Sequence, residues 1–128
     1  MPKQLLVLLF ILLYVKCFGQ TSPYRYGMGG CGYAGTKRKE RVEMEKMVAD
    51  YDTAALRNWL FSEYKELNAY AVEGYATLKD KGFEMPPVLM ARINVLQQDS
   101  TKINTCGGCI FESEPLNKIV FGWGFYNE

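Results

Sequence analysis

The 128 residues contain no histidine. Without one there is no Ser-His or Cys-His nucleophile pair, the commonest general base is missing, and so is the commonest metal ligand. Zinc needs four ligands, and thiols alone cannot supply them once Cys17 leaves with the N-terminal segment described below. Ile110 follows Cys109, so the C-x-x-C-H haem attachment pattern is absent. Charge of one sign is also lacking: 15 basic residues stand against 14 acidic ones. That balance gives no general attraction to nucleic acid or to an anionic membrane. No cofactor and no metal is expected.

A long apolar run is missing as well. Leu5 to Val15 is apolar over 11 residues, against the ~20 that a helix needs to cross a bilayer. Preceded by Lys3 and followed by Cys17-Phe18-Gly19, it reads as a secretory signal, residues 1–19, cleaved after Gly19 so that the mature chain begins at Gln20. Lys16 stands where a lipobox has a small residue, which argues against lipid attachment at Cys17. Cleavage removes Lys3 and Lys16, leaving 13 basic and 14 acidic residues. What remains, residues 20–128, is the size of one small domain, secreted or periplasmic, with no stable membrane span.

The mature chain is organised around Asp52 to Gly82. Leu67, Tyr70, Ala71, Gly74, Tyr75 and Leu78 recur at the spacing of one helical face, with Glu66, Asn68, Glu73, Thr77 and Asp80 on the other side. Ser62 can cap this helix and Gly82 can end it in the left-handed conformation. Before it, Asp52 or Thr53 caps a shorter helix, Ala54 to Phe61, whose Leu56, Trp59 and Leu60 face the longer one. The pattern Leu56-x-x-Trp59-Leu60-x-Ser62 followed by Ala69-Tyr70-Ala71-x-x-Gly74-Tyr75-x-x-Leu78 resembles a single HEAT or armadillo-like repeat over residues 53–82. The resemblance implies an antiparallel helical hairpin and a role in protein binding, although a solenoid groove needs about three such units.

Two further helices are expected. Lys37 to Tyr51 carries Met44, Met47, Val48 and Tyr51 on one stripe with Thr36 as cap. Its basic run Lys37, Arg38, Lys39, Arg41 is interleaved with Glu40, Glu43 and Glu45 and reads as a solvated face with i, i+4 pairs. Met44 and Met47 read as core filler. Pro86-Pro87 opens a helix through Leu89, Ile93 and Leu96. The expected fold is therefore mainly α, a small bundle of about four helices over residues 37–99, with an irregular Gly/Tyr-rich arm at 20–36 and an extended tail at 100–128. Gly30-Cys31-Gly32-Tyr33-Ala34-Gly35 matches GxGxxG letter for letter. The motif needs a buried strand to deliver its turn within a βαβ unit, and no strand is expected before it, so nucleotide binding does not follow.

Chemistry is confined to Cys31, Cys106 and Cys109. A small exported domain commonly uses disulfides, and Cys31 pairing with Cys106 or Cys109 would tie arm to tail. The remaining cysteine is then a free thiol, an intermolecular link or an exchange partner. Read instead as a redox pair, Cys106-Gly107-Gly108-Cys109 implies a thiol-disulfide oxidoreductase resembling thioredoxin-like enzymes, but the chain lacks their alternating βαβ pattern and Pro115 follows closely. Glu63 and Glu66 could share a site only if the fold brought them into a cleft.

In the tail, Phe121, Trp123, Phe125 and Tyr126 are candidate partner-binding aromatics, on a strand or a docked extended segment. These features point to a non-catalytic protein-binding module whose partner is another protein or a second copy of the chain. The alternatives are the thiol-disulfide enzyme and a structural accessory subunit of an exported assembly.

Overall fold

The computed structural model describes residues 2–17, 22–32 and 34–125. The expected cleavage site, together with Tyr33 of the GxGxxG match and Tyr126 of the aromatic tail, lies outside them. Helix α1 (Lys3–Cys17) carries the apolar block, and its side chains from Leu5 to Leu12 are exposed. No helix among the described residues is long and apolar enough to cross a membrane.

The mainly-α expectation is corrected. Six helices accompany a four-stranded mixed sheet among the described residues: β1 (Tyr26–Cys31), β2 (Thr36–Lys37), α2 (Lys39–Ala49), α3 (Thr53–Leu60), α4 (Lys65–Asp80), α5 (Pro87–Leu96), β3 (Lys102–Gly108), β4 (Ile110–Pro115) and α6 (Leu116–Gly122). The sheet runs in the order β2-β1-β3-β4. The arm and the tail, both expected to be irregular or extended, pair with each other: β1 lies parallel to β3, with Tyr26 opposite Thr105 and Gly27 opposite Cys106. Parallel neighbours need a long crossover, and here helices α2 to α5 supply it.

The arm hides its strand because glycine is a poor strand former, yet Gly27 sits where no side chain fits. A Cβ there would stand 2.6 Å from Cys31 Sγ and 3.0 Å from Arg38 Cγ. At Gly30 a Cβ would collide with the carbonyl group of Gly35, where the chain folds back into β2. The GxGxxG stretch does follow a strand, against expectation. It returns as an antiparallel hairpin, with Cys31 opposite Thr36, and so delivers no helix N-terminus to a phosphate.

Helix α4 is the centre of the core, as its stripe implies, with Leu67, Tyr70, Ala71, Tyr75 and Leu78 buried. Asp52 caps α3 by accepting from the Ala55 amide at 3.1 Å, and Gly82 ends α4 at φ +96°. Ser62 does not cap α4; it bonds the Tyr64 amide, ahead of the helix. Thr36 belongs to β2, and α2 starts at Lys39. Glu66, Asn68 and Glu73, expected on an outward face, are all buried, because the sheet and its neighbours cover that side too. Asn68 shows what such a residue does there: its side-chain amide donates to the carbonyls of Trp59, Leu60 and Ser62, tying the C-terminal end of α3 and the turn after it to α4.

Candidate functional site

Strand β1 is fastened by a buried polar cluster. Arg41 on α2 makes a two-pronged ion pair with Glu73 on α4, at 2.9 and 2.7 Å, and its Nε donates to the Gly27 carbonyl. The Tyr26 hydroxyl donates to Glu73 at 2.7 Å and accepts from the Trp123 indole at 3.1 Å. The Tyr70 hydroxyl donates to the Arg25 carbonyl at 2.7 Å and accepts from the Gly27 amide at 2.8 Å. The Arg41 guanidinium lies over the rings of Tyr26 and Tyr70. Burial, then the neighbouring Glu73 charge, pushes the Tyr26 phenol well above its ordinary range; burial also raises Tyr70. Arg41 and Glu40 are thus buried members of what the sequence suggests is a solvated face. A bidentate buried pair of this kind fixes geometry.

On the same strand, Cys31 is bonded to Cys106 on β3, with Cα atoms 5.6 Å apart and a sequence separation of 75. Arm and tail are therefore joined by a disulfide, and of the two possible partners it is Cys106. Cys109 is a free, exposed thiol. It occupies the two-residue turn of the β3–β4 hairpin with Gly108, whose φ of +58° is the left-handed conformation that such a turn requires at its first position.

Beyond that turn the surface changes character. Among the described residues strand β4 has a single neighbour, β3, and its other edge carries no strand. Ile110, 61% exposed, and Phe111, 55% exposed, begin it, and Met28 on β1 is 64% exposed. A shallow groove of about 230 Å³ passes Met28, Ile110, Glu112 and Glu114. The Arg25 guanidinium lies 5.1 Å from the Phe111 ring centre, and its Nη1 donates to the Thr105 carbonyl at 2.8 Å.

A second hollow, of about 360 Å³, opens where the start of α4 meets the start of β3. Glu63 and Glu66 both line it, the condition under which the pair could matter, together with Ser22, Lys65, Thr101, Lys102 and Asn104. Beside it Asp99 accepts from the Thr101 amide and pairs with Lys65, both at 2.9 Å. Burial raises the Asp99 pKa, but hydrogen bonds from Thr101 and Lys65 outweigh it and bring the carboxyl down to about 2. Among the described residues, no three Cys, Asp or Glu side chains gather closely enough to hold a metal ion.

The aromatic tail is divided. Phe125 is buried with the Lys79 ammonium over its ring, Trp123 is half-buried on Tyr26, and Phe121 is exposed on α6. Sequence reasoning passed over Tyr26, Arg41 and Glu73, since each looks ordinary in its own segment; only the fold brings them together. The edge of β4 was equally hidden, although Ile110-Phe111 directly after a Gly-Cys turn was a usable signal. Comparison of the chain with models of known families, with curated proteins and with solved structures finds no match.

Proposed function

We propose that the protein is an exported, disulfide-stabilised module that binds another protein along the open edge of β4. The observation that carries this reading is the contrast on one sheet: β1 is locked by ion pair, phenols and cystine, while β4 offers unpaired backbone groups next to exposed Ile110 and Phe111. An open strand edge is a template for an added strand, and proteins that do not use such edges usually blunt them. The cystine fits an oxidising compartment, and the N-terminal apolar block fits a signal that leads there. The test replaces Phe111 with a photo-crosslinking residue and, as control, Val95, exposed on α5. The reading expects one defined adduct from position 111 that is lost on Ile110→Lys, and none from position 95. The same adducts from both positions would reject it.

A thiol-disulfide role is the second reading, favoured by the exposed Cys109 thiol three residues from bonded Cys106. The Cys109 thiolate would attack Cys106 Sγ, forming the 106–109 bond and releasing Cys31 as a thiolate that takes up the proton. That reading expects Cys109→Ser to abolish exchange with glutathione disulfide, whereas the binding reading expects exchange no faster than for a simple thiol.

A further inference from the structure

Three buried carboxylates occur among the described residues, and two of them face a cation: Glu40 stands 3.4 Å from Arg38 and Glu73 stands 2.7 Å from Arg41. Glu66 is the exception. It is 3% exposed, and among the described residues it takes part in no ion pair and has one hydrogen bond, a long one of 3.5 Å from the Asn104 amide. The adjacent Lys65 sends its ammonium to Asp99 instead. Glu66 nonetheless lines the hollow of about 360 Å³ between α4 and β3, so the side of its charge left without a protein partner adjoins open space. A charge withdrawn from water without a counter-charge is costly, which makes a cationic group the missing piece of this cleft.

We propose that the cleft binds a primary ammonium group, as carried by a free amino acid or by the N-terminus of a peptide. Glu66 supplies the counter-charge, Glu63 adds a second carboxylate, and Ser22 and Thr101 bring hydroxyl oxygens to the same wall as further acceptors. Lys102, exposed on the same wall and without an ion pair among the described residues, suits the carboxylate of an amino acid or the first carbonyl of a peptide. Two lysines among the lining residues disfavour a divalent cation, which prefers a shell of oxygens. The volume is that of a small-molecule site. The cleft is independent of the β4 edge, so either assignment can stand without the other.

The test is a titration of the folded, ¹⁵N-labelled protein with glycine, triglycine and N-acetyl-triglycine, read at the backbone amides of Lys65, Glu66, Lys102 and Asn104. The proposal expects saturable shifts there with at least one free-amine probe and none with the acetylated one. Binding of triglycine alone assigns a peptide N-terminus; binding of glycine that Lys102→Ala weakens assigns a free amino acid. Glu66→Gln, which keeps the volume and removes the charge, should weaken binding by about ten- to a hundredfold, the worth of a charged hydrogen bond. Should that variant fail to fold, the free-versus-acetylated comparison on the unaltered protein decides alone. No saturable shift with either amine, equal binding of the acetylated probe, or indifference to Glu66→Gln in a folded variant would overturn the assignment.

Discussion

Two strands of the sheet, the inner β1 and the edge strand β4, obey opposite rules. At β1 the side chains of Tyr26, Arg41, Glu73 and Trp123 satisfy one another in the interior, and the cystine crosses to β3 beside them. At β4 the backbone has one partner strand, and the large apolar residues at its start face outward. Stability is concentrated where groups are hidden and paired, and capacity for contact where they are not. A strand can be left open on one side because its neighbour is held so firmly on the other.

Breaking the buried cluster at β1 should have the largest effect. Arg41→Ala leaves Glu73 enclosed without its cation and is expected to cost about 3–5 kcal/mol by chemical denaturation; a loss under ~1 kcal/mol would mean the pair is solvated. Next, Cys31→Ser returns freedom to the unfolded chain and should cost about 2–5 kcal/mol, the cross-linked loop being long. Equal denaturation midpoints for the two forms would show that the cystine does not clamp the sheet.

Buried phenols, Tyr26 and Tyr70 at β1 and Tyr75 between α3 and α4, add a pH signature. Burial pushes Tyr75 up to about 12, with Arg57 opposing, and raises Tyr26 and Tyr70 as well. A folded-state pKa above the unfolded value, about 10 for tyrosine, means that the folded chain keeps protons the unfolded chain gives up. Stability from these residues is therefore full below pH ~10 and declines as pH rises toward 12. Phenolate absorbance should appear together with loss of tertiary signal; ionisation of all the tyrosines near pH ~10 in folded protein would contradict this.

The edge strand β4 should be nearly silent in stability. Ile110→Lys is expected to change it by less than ~0.5 kcal/mol, since the side chain is mostly in water, while abolishing the adduct formed from position 111. A loss above ~2 kcal/mol would place Ile110 in a core, and the comparison between the two strands would fail.

The same contrast separates what was legible in the sequence from what was not. The α4 stripe, the Asp52 cap, the Gly82 stop and the Pro87 start were readable because each is set by residues within a turn or two. The sheet was not. Its central pairing joins residues about 80 apart, and Gly27 and Gly30, which the crossing cystine and the returning chain require, are the residues that make a strand look like a loop. Glu66 and Glu73 sit at outward positions on the helical wheel and became internal only when the arm and tail closed over α4. The need for a cystine from Cys31 was readable from cysteine number and compartment; the choice of Cys106 was set by its place directly opposite Gly27 in the sheet.

A cystine fastens β1 to β3 and leaves the hairpin turn free. A non-reducing peptide map of the folded protein, alkylated before digestion, distinguishes this pairing from the alternative. The peptide holding Cys31 should be linked to the peptide that spans Cys106 and Cys109, with the alkyl group on Cys109. An alkylated Cys31 together with a closed Cys106–Cys109 bond in folded protein would contradict it.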